Sequence, residues 1–150
     1  MNYQYIRFFS EIGIDDVDIV GGKNASLGEM YTELSREGVN IPNGFATTAE
    51  AYRDFLDHNE LVAPITAALD KLNVDDTKAL AKTGEYIRTL INQAAVPEAI
   101  VAEIEDTLLG IVDPIYGGYG PDHKFLHPEA HGFLLSRYHA TGETAFVDHV

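Results

Sequence analysis

The sequence predicts a mixed α/β fold that is rich in helix. Three observations point there. Apolar residues recur at helical spacing through most of residues 48–109. Short apolar or aromatic runs near 5–9, 39–46 and 133–136 read as strands. Apolar side chains fill 45% of the 150 positions, enough for a packed core at this length.

The elements follow in order along the chain. Tyr5-Ile6-Arg7-Phe8-Phe9 is the first strand. A polar stretch with Asp15, Asp16 and Asp18 leads to Val20-Gly21-Gly22-Lys23-Asn24-Ala25-Ser26, which turns into a helix. Leu27, Met30, Tyr31 and Leu34 stand at i, i+3, i+4 and i+7 and give that helix one apolar face. Gly38 suits the C′ position that ends it. In Val39–Phe45, Pro42 lacks a donor and biases Ile41 toward extended backbone, so a strand here is short or at an edge. Thr47 with Glu50 fits a capping box, opening a helix with Ala51, Tyr52, Phe55 and Leu56 on its inner face. Pro64 suits the first turn of a helix reaching about Leu72. Asp75 or Asp76 can cap the next, with Leu80, Ile87, Leu90 and Ile91 inside. Pro97 opens another, with Ile100, Val101, Ile104 and Leu108 buried and Gly110 at its end. Closely spaced Gly and Pro make Ile111–Gly132 a long loop, and Phe133-Leu134-Leu135 then reads as a strand.

Composition excludes several functions. The chain carries 24 acids against 10 Lys and Arg, a formal charge of −14, with no charged tail. That field opposes nucleic-acid phosphates, so no nucleic-acid partner is expected. Without cysteine there is no disulfide framework and no thiol chemistry. No apolar run approaches the roughly 20 residues of a membrane span, and Met1–Arg7 lacks the pattern of a signal peptide. A cytoplasmic location and no membrane partner are expected.

Gly21-Gly22-Lys23 is the first candidate site. Glycines at a helix entrance let a ligand approach the backbone, the helix N-terminus offers free amides, and Lys23 adds a point charge suited to a phosphate. The spacing is neither a P-loop nor the dinucleotide fingerprint. By itself it is either an anion site or a glycine-rich helix start with a surface lysine. Asp15, Asp16 and Asp18 offer oxygen ligands for a hard cation, but the Gly and distal Glu of an EF-hand loop are missing, so they read as capping or solvated acids. His123, His127 and His131 recur at every fourth position. On a helix they would share a face, but Pro128 interrupts the pattern and favours an irregular loop, so no metal site is expected.

Taken together, Val20–Met30 and Val39-Asn40-Ile41-Pro42-Asn43-Gly44-Phe45-Ala46-Thr47-Thr48 closely resemble the start of the phosphoenolpyruvate synthase (pyruvate, water dikinase) family. The likeness covers roughly residues 8–105. The Gly-Gly-Lys-Asn-Ala-Ser-Leu-Gly-Glu-Met run is specific to that family; the related pyruvate, phosphate dikinases and rifampicin phosphotransferases carry looser forms. The resemblance implies the N-terminal part of an ATP-grasp-type nucleotide-binding domain, with ATP as ligand. Lys23 matches the family lysine on the ATP phosphates, and Gly21 and Gly22 accompany it. The full enzyme converts ATP, pyruvate and water to phosphoenolpyruvate, AMP and phosphate in pyruvate metabolism and gluconeogenesis. It works through a phosphohistidine on a swivelling domain, and a barrel domain holds pyruvate and magnesium.

Past about residue 106 the likeness falls away. The family's next block is a strand ending in Val-Arg-Ser-Ser-Ala-Thr-x-Glu-Asp, whose arginine contacts ATP phosphates. The nearest counterpart is Leu135-Ser136-Arg137-Tyr138-His139-Ala140-Thr141-Gly142-Glu143-Thr144, which keeps an Arg-x-x-Ala-Thr-x-Glu skeleton. Arg137 is thus either the phosphate-binding arginine or an ordinary surface arginine. The chain divides into an ATP-binding-domain segment, 1–110, and a divergent loop-rich tail, 111–150. The expected function is the nucleotide-binding segment of a phosphoenolpyruvate synthase, truncated or stand-alone and not catalytically complete by itself. Its partners would be nucleotide and the remaining domains or subunits; the magnesium ligands of the full enzyme would lie outside this chain. The alternative is a non-catalytic regulatory or protein-binding module on the same fold.

Overall fold

The computed structural model describes residues 3–41, 43–120 and 127–148; Pro42, Pro121 and His123 lie outside them. Among the described residues, two short strands and six helices follow one another. Strand β1 spans Ile6–Phe8 and β2 spans Phe45–Thr47; the helices are α1 Val17–Arg36, α2 Ala49–His58, α3 Val62–Asp70, α4 Thr77–Gln93, α5 Glu98–Gly110 and α6 Pro128–Thr141. Short 3-10 turns lie at Phe9–Glu11, Ile14–Asp16 and Thr144–Phe146.

The strands form an antiparallel ribbon with Ile6 opposite Thr47, Arg7 opposite Ala46 and Phe8 opposite Phe45. The ladder closes at its ends through Thr48 N–H to Tyr5 O and Phe9 N–H to Gly44 O, both 2.9 Å. Both strands are shorter than the sequence predicts, because main-chain pairing stops where the chain turns into the first 3-10 turn on one side and α2 on the other.

Helix α1 ends as the Gly38 signal predicts. Gly38 has φ of 79°, and Val39 N–H reaches Leu34 O while Gly38 N–H reaches Ser35 O. This pattern satisfies the last carbonyls in a Schellman arrangement. The cap of α2 falls one residue later than predicted. Thr47 is paired in β2, and Thr48 Oγ1 accepts from Ala51 N–H at 3.2 Å. Glu50 is therefore no capping-box partner; its carboxylate accepts from Gln4 Nε2 at 2.8 Å. Asp76 caps α4 through the amides of Lys78 and Ala79.

Among the described residues, three apolar clusters make the core. Ile12, Val20, Ala25 and Ala46 pack together with Phe9 against them. Tyr5, Ala51 and Ile100 form a second, with Phe55 and Ile104. Leu108, Tyr119, Leu134 and Phe146 form the third, which Ile104 also touches. Helix α5 thus faces β1 and α2 with one part of its surface and the C-terminal segment with another. Polar contacts reinforce it: Glu103 accepts from the Gln4 and Tyr5 amides, at 2.9 and 2.7 Å.

The strand predicted at 133–136 is instead part of α6. Pro128 stands in its first turn, Gly142 takes the left-handed conformation at its end with φ of 77°, and Gly142 N–H reaches Tyr138 O. Leu134, with Ala130, Phe133 and Tyr138 beside it, packs toward α5. A three-residue apolar run carries no period of its own, and its tertiary neighbours decide. Helix α6 begins inside the predicted loop 111–132, and Val112 bridges Tyr119 across a tight turn. Several residues assigned to inner faces are exposed, among them Met30, Leu34, Tyr52 and Leu80. Among the described residues no helix is long and apolar enough to cross a membrane.

Candidate functional site

The glycine run sits at a break in α1. Gly21 has φ of 77° and ψ of 156°, values no helical residue takes, so the helix restarts at Gly22. A side chain is strongly disfavoured at that φ, which is the local reason for glycine. The restart leaves the amides of the next turn as helix N-terminal donors. Two side chains fold back over the break: Asn24 Nδ2 donates to Val20 O and Ser26 Oγ to Gly22 O, each at 2.9 Å. Lys23 is exposed in this first turn.

The glycines divide into two kinds. A Cβ on Gly21 or Gly22 would meet nothing within 4 Å. A Cβ on Gly28 would collide with the carbonyl oxygen of Ile12. Gly28 therefore lets α1 lie against the preceding turn, while Gly21 and Gly22 leave a bare backbone facing open space. Such a surface is chemically able to hold an oxyanion on main-chain amides, with the Lys23 ammonium as counter-charge.

Arg137 is held elsewhere. It lies on α6, where its Nε donates to Glu105 and its Nη2 donates to Glu98 Oε1 at 3.0 Å. Its side chain is one-fifth exposed and that of Glu105 less. The hydrogen bond to Glu105, with the charge of both carboxylates, keeps its pKa above the ordinary arginine value. The structure places this guanidinium on α5 carboxylates and Lys23 just after the break inside α1.

Asp16 turns inward and accepts from Gly13 N–H at 2.8 Å, a local capping role; Asp15 and Asp18 are exposed. His127 and His131 both pack on Tyr119, with ring centroids 5.7 and 5.2 Å away. Burial raises the Tyr119 pKa. No cluster of three or more His, Asp or Glu that could hold a metal occurs among the described residues.

Sequence reading missed one feature. A cleft of about 200 Å³ opens between the starts of α1 and α2, lined by Arg7, Asp18, Ile19, Thr48, Ala49, Glu50 and Arg53. Nothing in the spacing of Arg7 and Arg53 marks them; pairing of β1 with β2 brings them together.

Residues 17–115 match the family described as pyruvate phosphate dikinase, AMP/ATP-binding domain. The chain is 48% identical over 110 residues to phosphoenolpyruvate synthase of Pseudomonas aeruginosa, covering 73% of this chain and 14% of that protein. It is 54% identical over 101 residues to phosphoenolpyruvate synthase of Neisseria meningitidis, 67% of this chain and 13% of that one. For the Escherichia coli enzyme of the same name the values are 52% over 86 residues, 57% and 11%. The chain thus spans about one seventh of the length of the first of these relatives.

Proposed function

The chain belongs to the pyruvate phosphate dikinase AMP/ATP-binding domain family, and from that premise we propose that it is the N-terminal nucleotide-binding segment of a phosphoenolpyruvate synthase. The likeness to three enzymes of that name supports the assignment. In this reading the amides after Gly21 and Gly22, with the Lys23 ammonium, hold phosphates of ATP. The observation that carries it is the break at Gly21, which presents bare backbone and a fresh helix N-terminus beside an exposed lysine. Transfer of a phosphoryl group to pyruvate needs magnesium, a phosphohistidine and a pyruvate site, and we assign none of those to this chain. An ATP-grasp architecture and a cytoplasmic location belong to the same proposal.

Calorimetric titration of the chain with ATP tests the site. Lys23→Ala is expected to weaken binding by about tenfold, the worth of one charge-assisted contact. Unchanged affinity would remove Lys23 from the site. Release of AMP dependent on pyruvate by the chain alone would overturn the division of labour proposed here.

A second reading has its own support. Helix α6 packs on α5 rather than offering a phosphate strand, and Arg137 is paired with Glu98 and Glu105. A non-catalytic module that borrows the nucleotide fold would look so. If Arg137 also contacts ATP, nucleotide must draw it off those carboxylates. In that case Arg137→Ala weakens ATP binding while Glu98→Gln strengthens it; in the module reading neither variant moves it.

A further inference from the structure

The cleft between the starts of α1 and α2 is not used by the nucleotide reading above. Its lining is unusual in so acidic a chain. Arg7 is half-buried, and its Nη1 donates to the carbonyls of Tyr3 and Ile6 at 2.6 and 2.7 Å. Those two bonds pin one end of the guanidinium to main chain. No carboxylate among the described residues pairs with it. Arg53, one turn into α2, makes no hydrogen bond or ion pair with any described residue. Two acids also line the cleft, and neither forms an ion pair with the arginines: Asp18 forms none among the described residues, and Glu50 Oε1 accepts from Gln4 Nε2 at 2.8 Å.

Thr48 adds a donor. It is only 4% exposed and lines the cleft. Its oxygen accepts from Ala51 N–H, which leaves the hydroxyl proton without an acceptor among the described residues. The space of about 200 Å³ takes a tetrahedral oxyanion and several waters, at about 30 Å³ per water. Two guanidinium groups suit such a ligand through paired N–H donors, and the first amides of α2 face the same way as its dipole.

We propose that this cleft binds a phosphate-type oxyanion, held by Arg7 and Arg53 with Thr48 as a buried donor. The ligand is either free phosphate or a phosphate group of a larger molecule. The site uses none of Lys23, Gly21, Gly22 or Arg137, so it stands or falls apart from the nucleotide reading.

The test is titration of the full chain at constant ionic strength with inorganic phosphate and, separately, with ATP, following the backbone amides of Thr48, Ala49 and Glu50 by NMR. Saturable shifts at these three amides are expected. Arg53→Ala should weaken binding about tenfold or more, with Arg53→Lys in between because the charge stays and the fork is lost. Lys23→Ala should leave it unchanged. Arg7→Ala is the less useful variant, since its bonds to Tyr3 and Ile6 also hold β1. Saturation by phosphate and not by ATP identifies a free-phosphate site; saturation by ATP in the Lys23→Ala chain identifies a phosphate group of a larger ligand. Either supports the proposal. Absence of saturable shifts with both probes overturns it, as does binding that Arg53→Ala leaves intact or that Lys23→Ala removes.

Discussion

Around α1 the core is built from small residues and close backbone approach: Ala25, Ala46, Val20 and Ile12, with Gly28 pressed on the Ile12 carbonyl. Around α6 it is built from large side chains, Leu108, Tyr119, Leu134 and Phe146. The first region gains its order from glycines that only one chain path can use. The second gains it from apolar volume that any helix of the right face could supply. This explains why a motif can be read in the first and not in the second. In α1 a glycine's place reports a backbone requirement, while in the tail an apolar residue reports only that something is buried.

Leu134→Ala gives the largest expected effect. The side chain is fully buried, and its removal should cost about 3 kcal/mol, read from urea unfolding. If the tail were loosely attached, the loss would be under about 1 kcal/mol, and the two regions would differ in stability as well as in build. Next comes Gly28→Ala. The added Cβ overlaps the Ile12 backbone, which cannot swing aside, so a loss of about 2 kcal/mol is expected. Gly22→Ala, with open space around it, should cost well under half of that. Equal costs at the two glycines would end the division of the run into a packed and an open part.

Arg137→Ala should cost about 1 kcal/mol, since the pair with Glu105 is mostly shielded and that with Glu98 lies at the surface. The loss should shrink for Glu98→Gln. Salt-independent destabilisation of equal size in both variants would mean that packing, not charge, joins α6 to α5.

The smallest effect is a pH dependence. Tyr5 OH donates to Asp54 Oδ2 at 2.7 Å, and this hydrogen bond, with burial and the nearby carboxylates, raises the phenol above its ordinary value near 10. Tyr3 is raised likewise beside Asp106. A raised phenol favours the folded, protonated form. Its contribution is complete below about pH 10 and is lost as pH climbs through the folded value. Urea midpoints should therefore fall at alkaline pH, and Tyr5→Phe should flatten that fall. An unchanged alkaline slope in Tyr5→Phe would assign the fall to other groups.

Much of the N-terminal region was legible from residue types. The Gly38 ending of α1, the Asp76 cap of α4 and the inner residues Ile100, Val101 and Leu108 of α5 all stand as the patterns predict. The α2 cap was displaced from Thr47 to Thr48 because the capping-box spacing to Glu50 favours Thr47, and that local rule carries no information on strand pairing. Pairing of Thr47 with Ile6 leaves Thr48 as the cap. At the candidate site, Gly21, Gly22 and Lys23 were visible as a motif. The break that makes them a surface was not, since glycine permits φ of 77° without requiring it.

Sequence by itself determined the helices with caps and periodicity, the family, and the glycine run, because each is encoded in neighbours along the chain. Only tertiary structure decided that residues 133–136 are helical, that Arg137 sits on Glu105 and Glu98, and that Arg7 meets Arg53 across one cleft. Those outcomes depend on partners far apart in the chain, and no local pattern carries the energy of a contact that folding alone creates.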